Sequence, residues 1–324
     1  MTIQEVFNLH KGDLQRMEFQ LKDNLRSSVP LTFEMGDYLI SGGGKRLRPL
    51  LLMLSARLSG YSGGNETLLC TIVEFIHMAS LLHDDVIDAA TVRRGKTSAN
   101  AIWGNKASIL VGDYLSSKAL HMAVQLKDPR ITATLAEIIT LMSEGELLQL
   151  LSTGDVDVTE ERYLNIIRHK TAILISGACR LGGLLGNASD AQVQALADYG
   201  MQIGLAFQIA DDALDYCAVE QNLGKSLGKD LSEGKITLPL IHLLSSCNET
   251  ENSQVREIIY ADSPSESELR YILDLMNRYR SIEYALGRAK EIAESGTRAL
   301  SVFNSSPELE SFYAVAGYVV EREL

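Results

Sequence analysis

Proline removes a backbone donor and breaks helix interiors, and none occurs between Pro129 and Pro239. Pro30, Pro49, Pro264 and Pro307 likewise fall near segment boundaries, so long helices can run through this chain undisturbed. Apolar residues recur at steps of three and four in Leu68, Ile72, Phe75, Ile76 and Ala79, and again in Val193, Leu196, Ala197, Met201, Leu205 and Phe207. Strict alternation of two is hard to find. Starts are suggested by Ser98 before an apolar run, Thr159 followed by Glu160–Arg162, and Ser189-Asp190 before Ala191–Leu196. The pattern predicts helices at 3–27, 33–41, 48–59, 65–89, 98–123, 129–151, 159–184, 190–219, 234–246, 266–275, 280–303 and 307–322. The fold class is therefore all-α. The glycine-rich stretches 41–44, 61–64 and 224–234 are short enough to be functional loops, so residues 1–324 are expected to form a single domain.

The chain has 30 Lys and Arg against 42 Asp and Glu, a net charge of −12, which argues against nucleic acid as a partner. An anionic substrate must then meet local basic clusters or bound metal. Apolar residues make up 46%, enough for a sizeable core and too many for a disordered chain. Cys70, Cys179, Cys217 and Cys247 are spaced as neither a zinc site nor a disulfide framework, which suggests a reduced, cytoplasmic protein. The start, MTIQEVFNLHKGDLQRMEFQ, has no signal-peptide character. No uninterrupted apolar run approaches the roughly 18–20 residues of a membrane span, so no transmembrane segment is expected.

Asp84-Asp85-Val86-Ile87-Asp88 and Asp211-Asp212-Ala213-Leu214-Asp215 share the spacing D-D-x-x-D. On a helix the first and fifth positions lie on one face, one turn apart, with the second beside them. Like charges at that spacing repel, and the neighbours Leu81, Leu82, Ile87, Ile209, Ala210 and Leu214 are apolar. A hard, oxygen-seeking Mg²⁺ resolves the conflict by binding one or two carboxylates, water and substrate phosphate oxygens. A solvated acidic helix face is the alternative, but six of the 18 Asp lie in two motifs set within apolar stretches.

Basic residues accompany both motifs. Lys45, Arg46 and Arg48 follow Gly42-Gly43-Gly44 and precede Pro49, which could open a helix whose N-terminus also favours anions. Arg93-Arg94-Gly95-Lys96 comes just after the first motif, and Lys225, Lys229 and Lys235 follow the second. The glycine run does not supply the spacing of a P-loop.

With these residues in view, the chain resembles the trans-isoprenyl diphosphate synthases, and most of all the bacterial long-chain, octaprenyl-type polyprenyl synthases. The resemblance is carried by GGGKRLRP (42–49), EFIHMASLLHDDVID (74–88), RRGK (93–96), LVGDY (110–114), EGELLQL (144–150), KTA (170–172), GLAFQIADDALDY (204–216) and GKDLSEGKITLP (228–239). Little of it extends beyond about residue 245. It implies a helical bundle around a deep central cavity, with the two Asp motifs facing each other, in a homodimer. It also implies Mg²⁺-dependent head-to-tail joining of isopentenyl diphosphate to an allylic diphosphate such as farnesyl diphosphate, giving a long product for quinone side chains.

By the same resemblance, Asp84, Asp85 and Asp88 would hold Mg²⁺ against the allylic diphosphate. Asp211, with Asp212 and Asp215 in support, would hold a further ion, for about three in all with substrate bound. Arg93, Lys170, Lys225 and Lys235 would contact the allylic diphosphate, and Lys45, Arg48, His77 and Arg94 would hold isopentenyl diphosphate. Ionisation leaves an allylic cation, for which Thr171, Gln208 and the carbonyl of Lys170 are the candidate dipoles. No Ser/His/Asp or Cys/His nucleophile is needed, and none is evident.

Ala79 and Ser80 lie one turn deeper than Asp84 on the same helix, where short-chain relatives carry an aromatic block. Small residues there imply an open tunnel with its floor near Met122, Ala123 and Leu135, and a product of roughly seven to ten isoprene units, eight favoured. The rival readings are a short-chain farnesyl or geranylgeranyl synthase, a class I terpene cyclase, and a non-catalytic regulatory subunit of another synthase. A cyclase would carry a different second motif, and a non-catalytic subunit could dispense with the six carboxylates.

Overall fold

The computed structural model describes residues 1–221, 234–261 and 265–321. Their regular secondary structure is helical apart from one short hairpin. In order they form α1 (Ile3–Leu9), α2 (Lys11–Asn24), α3 (Pro30–Ser41), α4 (Leu47–Leu58), α5 (Glu66–Ile87), β1 (Val92–Arg93), β2 (Lys96–Thr97), α6 (Ala99–Trp103), α7 (Asn105–Gln125) and α8 (Pro129–Leu150). Then come α9 (Glu160–Ile167), a π-helical turn (Arg168–Ala172), α10 (Ile173–Leu185), α11 (Asp190–Gln221), α12 (Leu238–Ser246), α13 (Glu249–Tyr260), α14 (Glu266–Arg278), α15 (Ser281–Ala299), a 3₁₀ turn and α16 (Pro307–Val320).

The all-α reading holds, and its prolines act as starts: Pro30, Pro129, Pro239 and Pro307 each lie in the first turn of a helix. Side-chain caps begin others, Thr159 accepting from the Arg162 amide and Ser265 forming a capping box with Glu268. Several local features depart from the expected pattern, among them the π turn at Arg168–Ala172, which interrupts the helix expected over 159–184. The first helix breaks at His10, and the stretch from Ser98 divides at Gly104, whose φ of 83° no L-residue adopts readily. The 92–97 segment is an antiparallel hairpin rather than a loop, pairing Val92 with Thr97 and Arg93 with Lys96. Its central residues, Arg94 and Gly95, have φ of 51° and 74°, the positive values a tight two-residue hairpin requires. Finally, α13 fills a region expected to be irregular. Asn248 caps it by accepting from the Glu251 amide, a start signal that the low apolar content of the helix obscures.

The residues group into two compact units. One comprises Met1–Ile139, Leu174–Gly200 and Leu300–Ala314; the other comprises Thr140–Ile173, Met201–Ala299 and the stretch from Val315. In the first, α5 packs against α2, α4 and α7, and its inner face (Ile72, Phe75, Ile76, Ala79 and Leu82) is buried. By length and composition α5 could cross a membrane, but 61% of its most apolar window is buried, as befits a core helix. In the second, α12 packs against α15 and α14, while α9 leads into the π turn.

Candidate active site

The first unit assembles three short segments around the C-terminal end of α5: the Gly42–Arg46 loop, the 84–88 acidic motif and the β1–β2 hairpin. Asp84 and Asp88 lie one turn apart, with the Asp88 amide donating to the Asp84 carbonyl at 2.8 Å. Asp85 is fully buried. Its Oδ1 accepts from Arg93 Nε at 2.6 Å, and its carbonyl accepts from Asn100 Nδ2 at 2.9 Å. The hairpin is tied back to the glycine loop by Arg94 Nη1 donating to the Gly43 carbonyl, and by Lys96 Nζ donating to the Ser41 carbonyl at 3.0 Å. Backbone strain collects here: Arg46, Ala89 and Arg94 all have positive φ without being glycine.

The three basic residues that open α4 have different positions. Arg46 turns inward, with Nε on Glu18 Oε1 at 3.0 Å and Nη1 on Glu74 Oε2 at 2.8 Å. Lys45 is exposed, while Arg48 reaches the His77 ring, Nη1 to Nε2, at 3.3 Å. Burial, with Arg48, Arg94, Arg93 and Arg46 nearby, holds His77 well below the ordinary imidazole pKa. His77 is therefore neutral at pH 7. Because Arg48 can only donate, Nε2 accepts and the ring proton sits on Nδ1. A neutral donor among arginines is an anion-binding arrangement. Ala79, Met122, Ala123 and Leu135 are buried in this unit, and Ser80 Oγ donates to the His77 carbonyl at 2.8 Å.

The second unit builds its site on the π turn. A Cβ on Gly145 of α8 would lie 2.5 Å from Lys170 N, and one on Gly204 of α11 would lie 2.5 Å from Ala172 Cα. The two glycines thus let two helices close on the turn that carries Lys170 and Thr171. Lys170 Nζ donates to Glu146 Oε2 at 2.7 Å. Thr171 Oγ1 donates to Gln208 Oε1 at 2.9 Å, Gln208 Nε2 to Asp212 Oδ1 at 2.7 Å, and Tyr163 OH to Asp212 Oδ2 at 2.7 Å. Tyr163, Lys170, Thr171, Gln208 and Asp212 line one cavity of about 110 Å³ together with Lys235. Asp211 and Asp215 are half-buried on the same helix as Asp212. Lys225 and Lys229 lie outside the described residues.

Tyr163 and Glu146 were not singled out from the sequence. Tyr163 stands 49 positions from Asp212, and only folding brings them together. Glu146 lies within the quoted EGELLQL stretch, where its role as the partner of Lys170 had no local signal.

The 42–49, 84–96, 170–172 and 204–215 segments are thus gathered into two acidic and basic clusters on helix ends and a π turn. The model of the polyprenyl synthetase family matches residues 29–276. The chain belongs to that family. The octaprenyl diphosphate synthase of Haemophilus influenzae is 39% identical over 322 residues, covering 99% of this chain and 98% of that protein. Among solved structures, a decaprenyl diphosphate synthase from Rhodobacter capsulatus superposes with a TM-score of 0.94 at 37% identity, covering 99% of each chain. A polyprenyl synthase from Caulobacter crescentus, solved with calcium and isoprenyl diphosphate, gives 0.93 at 35% identity, covering 99% of this chain and 98% of that one.

Whether this polyprenyl synthetase chain suits a divalent ion can be judged from its donors. Among the described residues, no three His, Cys, Asp or Glu side chains converge closely enough to enclose a metal by themselves. Asp85 Oδ2, however, is buried without a hydrogen-bond partner. A cation held by one or two carboxylates, and completed by water and diphosphate oxygens, fits that donor set. Cys70 and Cys179 offer no reactive thiol, being fully buried, and burial pushes the Cys179 thiol up to about 12.

Proposed function

We propose that this protein is a trans-polyprenyl diphosphate synthase that extends an allylic diphosphate, such as farnesyl diphosphate, with isopentenyl diphosphate to an octaprenyl-type product. The observation that carries the reading is Asp85: one oxygen is paired with Arg93 and the other is buried without a hydrogen-bond partner, a lone-pair donor that a cation would satisfy, beside a hairpin that carries Arg93 and Arg94. Family membership and the full-length likeness to an octaprenyl diphosphate synthase support it.

On this reading Arg93 and the 84–88 carboxylates serve the allylic diphosphate, and Lys45, Arg48, neutral His77 and Arg94 hold isopentenyl diphosphate. Lys170 and Lys235 add cationic charge for the leaving group, as Lys225 would, and Asp211 leads the second acidic set with Asp212 and Asp215 in support. Mg²⁺, when bound, supplies positive charge to the departing diphosphate oxygens. Thr171, Gln208 and the Lys170 carbonyl present negative dipole ends to the allylic cation in a water-poor cavity. The isopentenyl double bond attacks that cation, and the proton released is taken by the departed diphosphate. The small side chains at Ala79 and Ser80 leave room for a growing apolar chain, with Met122, Ala123 and Leu135 as its floor. A cytoplasmic homodimer completes the reading, supported by the exposed Ile102, Ile109 and Leu110 of the first unit.

Incubation with farnesyl diphosphate, labelled isopentenyl diphosphate and Mg²⁺, followed by chromatographic sizing, tests this function. A ladder ending near eight isoprene units is expected on the long-chain reading. No elongation overturns it, and a cyclised hydrocarbon assigns the chain to the terpene cyclases instead.

A further inference from the structure

We propose that Tyr163 and Asp212 form a polarity clamp that orients Gln208 and, through it, fixes the direction of the Thr171 hydroxyl. Asp212 is 6% exposed, and both carboxylate oxygens are engaged by protein donors, Gln208 Nε2 on Oδ1 and Tyr163 OH on Oδ2, each at 2.7 Å. A carboxylate can only accept. Gln208 must therefore turn its NH₂ toward Asp212 and its carbonyl oxygen toward Thr171, whose hydroxyl then donates at 2.9 Å. The order of donors along the chain is set by one acceptor-only group at its end.

The consequence falls on Thr171. With its proton committed to Gln208, the lone pairs of Oγ1 remain for the cavity that Thr171, Gln208, Asp212 and Tyr163 line together. An oxygen offering lone pairs stabilises a developing cation, whereas a hydroxyl turned proton-first opposes it. Reversing the amide would therefore reverse the sign of the help that Thr171 gives. Tyr163 locks the far side of Asp212, so the carboxylate cannot rotate without leaving a buried donor unsatisfied. In this role Asp212 is a positioning residue rather than a metal ligand, although its place in the motif is equivalent to that of Asp85. The inference rests on the synthase reading above and deepens it.

The test exchanges charge along the clamp. Gln208→Glu sets two carboxyl groups against each other, and kcat is expected to fall about 10-fold to 100-fold. Adding Asp212→Asn restores the donor order, since the asparagine amide can donate to the introduced carboxylate while its carbonyl oxygen accepts from Tyr163. The double variant is expected to recover at least about tenfold over Gln208→Glu alone. Tyr163→Phe is expected to lower kcat about 3-fold to 10-fold with KM for both diphosphates unchanged. Calorimetry with Mg²⁺ and inorganic diphosphate is expected to show a loss of affinity at least about tenfold smaller in Asp212→Asn than in Asp211→Asn. A double variant no better than Gln208→Glu, or Mg²⁺–diphosphate binding lost as far in Asp212→Asn as in Asp211→Asn, overturns the clamp. A wild-type chain that fails to elongate overturns the synthase reading itself, so the two failures are distinguishable.

Discussion

The two acidic motifs have the same spacing and opposite surroundings. At the second position of the first, Asp85 on α5 meets the Arg93 guanidinium of the hairpin on one oxygen and no hydrogen-bond donor on the other. At the second position of the other, Asp212 accepts from Tyr163 and Gln208 and anchors a relay that reaches Thr171. One carboxylate is poised for a cation, while the other organises hydrogen bonds. Equal spacing puts carboxylates on one helix face in both cases, but it is the element packed against that face that decides what each does.

The sharpest way to break this contrast is to neutralise the two equivalents. Asp85→Asn is expected to lower kcat/KM about 10²-fold to 10³-fold, whereas Asp212→Asn costs about tenfold or less, because asparagine can still accept from Gln208. Steady-state kinetics giving the reverse order would erase the distinction. Next comes the scaffold of the first unit. Arg46→Ala strands the buried Glu74 carboxylate and is expected to cost about 3–5 kcal/mol in urea unfolding, so a loss below about 1 kcal/mol would mean that the pair is not structural. In the second unit, Gly145→Ala pushes a Cβ to within 2.5 Å of the Lys170 backbone nitrogen. It is expected to cost about 1–3 kcal/mol and to lower kcat by disturbing the π turn, and an unchanged kcat would mean that the turn absorbs the methyl group without moving Lys170 or Thr171.

A gentler probe is Ala79→Tyr, which sets a ring one turn below Asp84, where the proposed tunnel would run. Chromatography should show shorter products with the first condensation still proceeding, and an unchanged length would place the tunnel elsewhere. The smallest effect concerns pH. His77 stays neutral in the folded chain where an unfolded imidazole, titrating near 6.5, takes up a proton. The unfolded state then binds more protons, so the stability contributed is full above that value and is lost as pH falls below it. His77→Gln should flatten the fall in unfolding midpoint between neutral and mildly acidic pH; an unaltered slope would assign that slope to His10 and His242, whose pKa values burial also lowers.

Much of this was legible beforehand. Three- and four-residue apolar spacing and the proline-free interval gave the all-α fold, since burying one helix face requires that period whatever the partner. Motif order and spacing likewise pointed to two acidic sets with attendant cations, and to a family. The hairpin escaped notice because two residues per strand carry no period, its only trace being Gly95 beside Arg94. The π turn escaped because its cause lies in Gly145 and Gly204, distant in sequence and diagnostic only once two helices close on Lys170 and Ala172.

What the sequence determined by itself was composition within reach of a helix face: which carboxylates share a side, which basic residues follow them, and where helices start. Only the tertiary structure decided that Arg46 serves Glu18 and Glu74 while Arg48 meets His77, and that Asp85 and Asp212, alike in sequence, face a guanidinium and a phenol. Hydrogen-bond direction and desolvation depend on atoms that meet across dozens of residues, and no local pattern encodes which donor arrives.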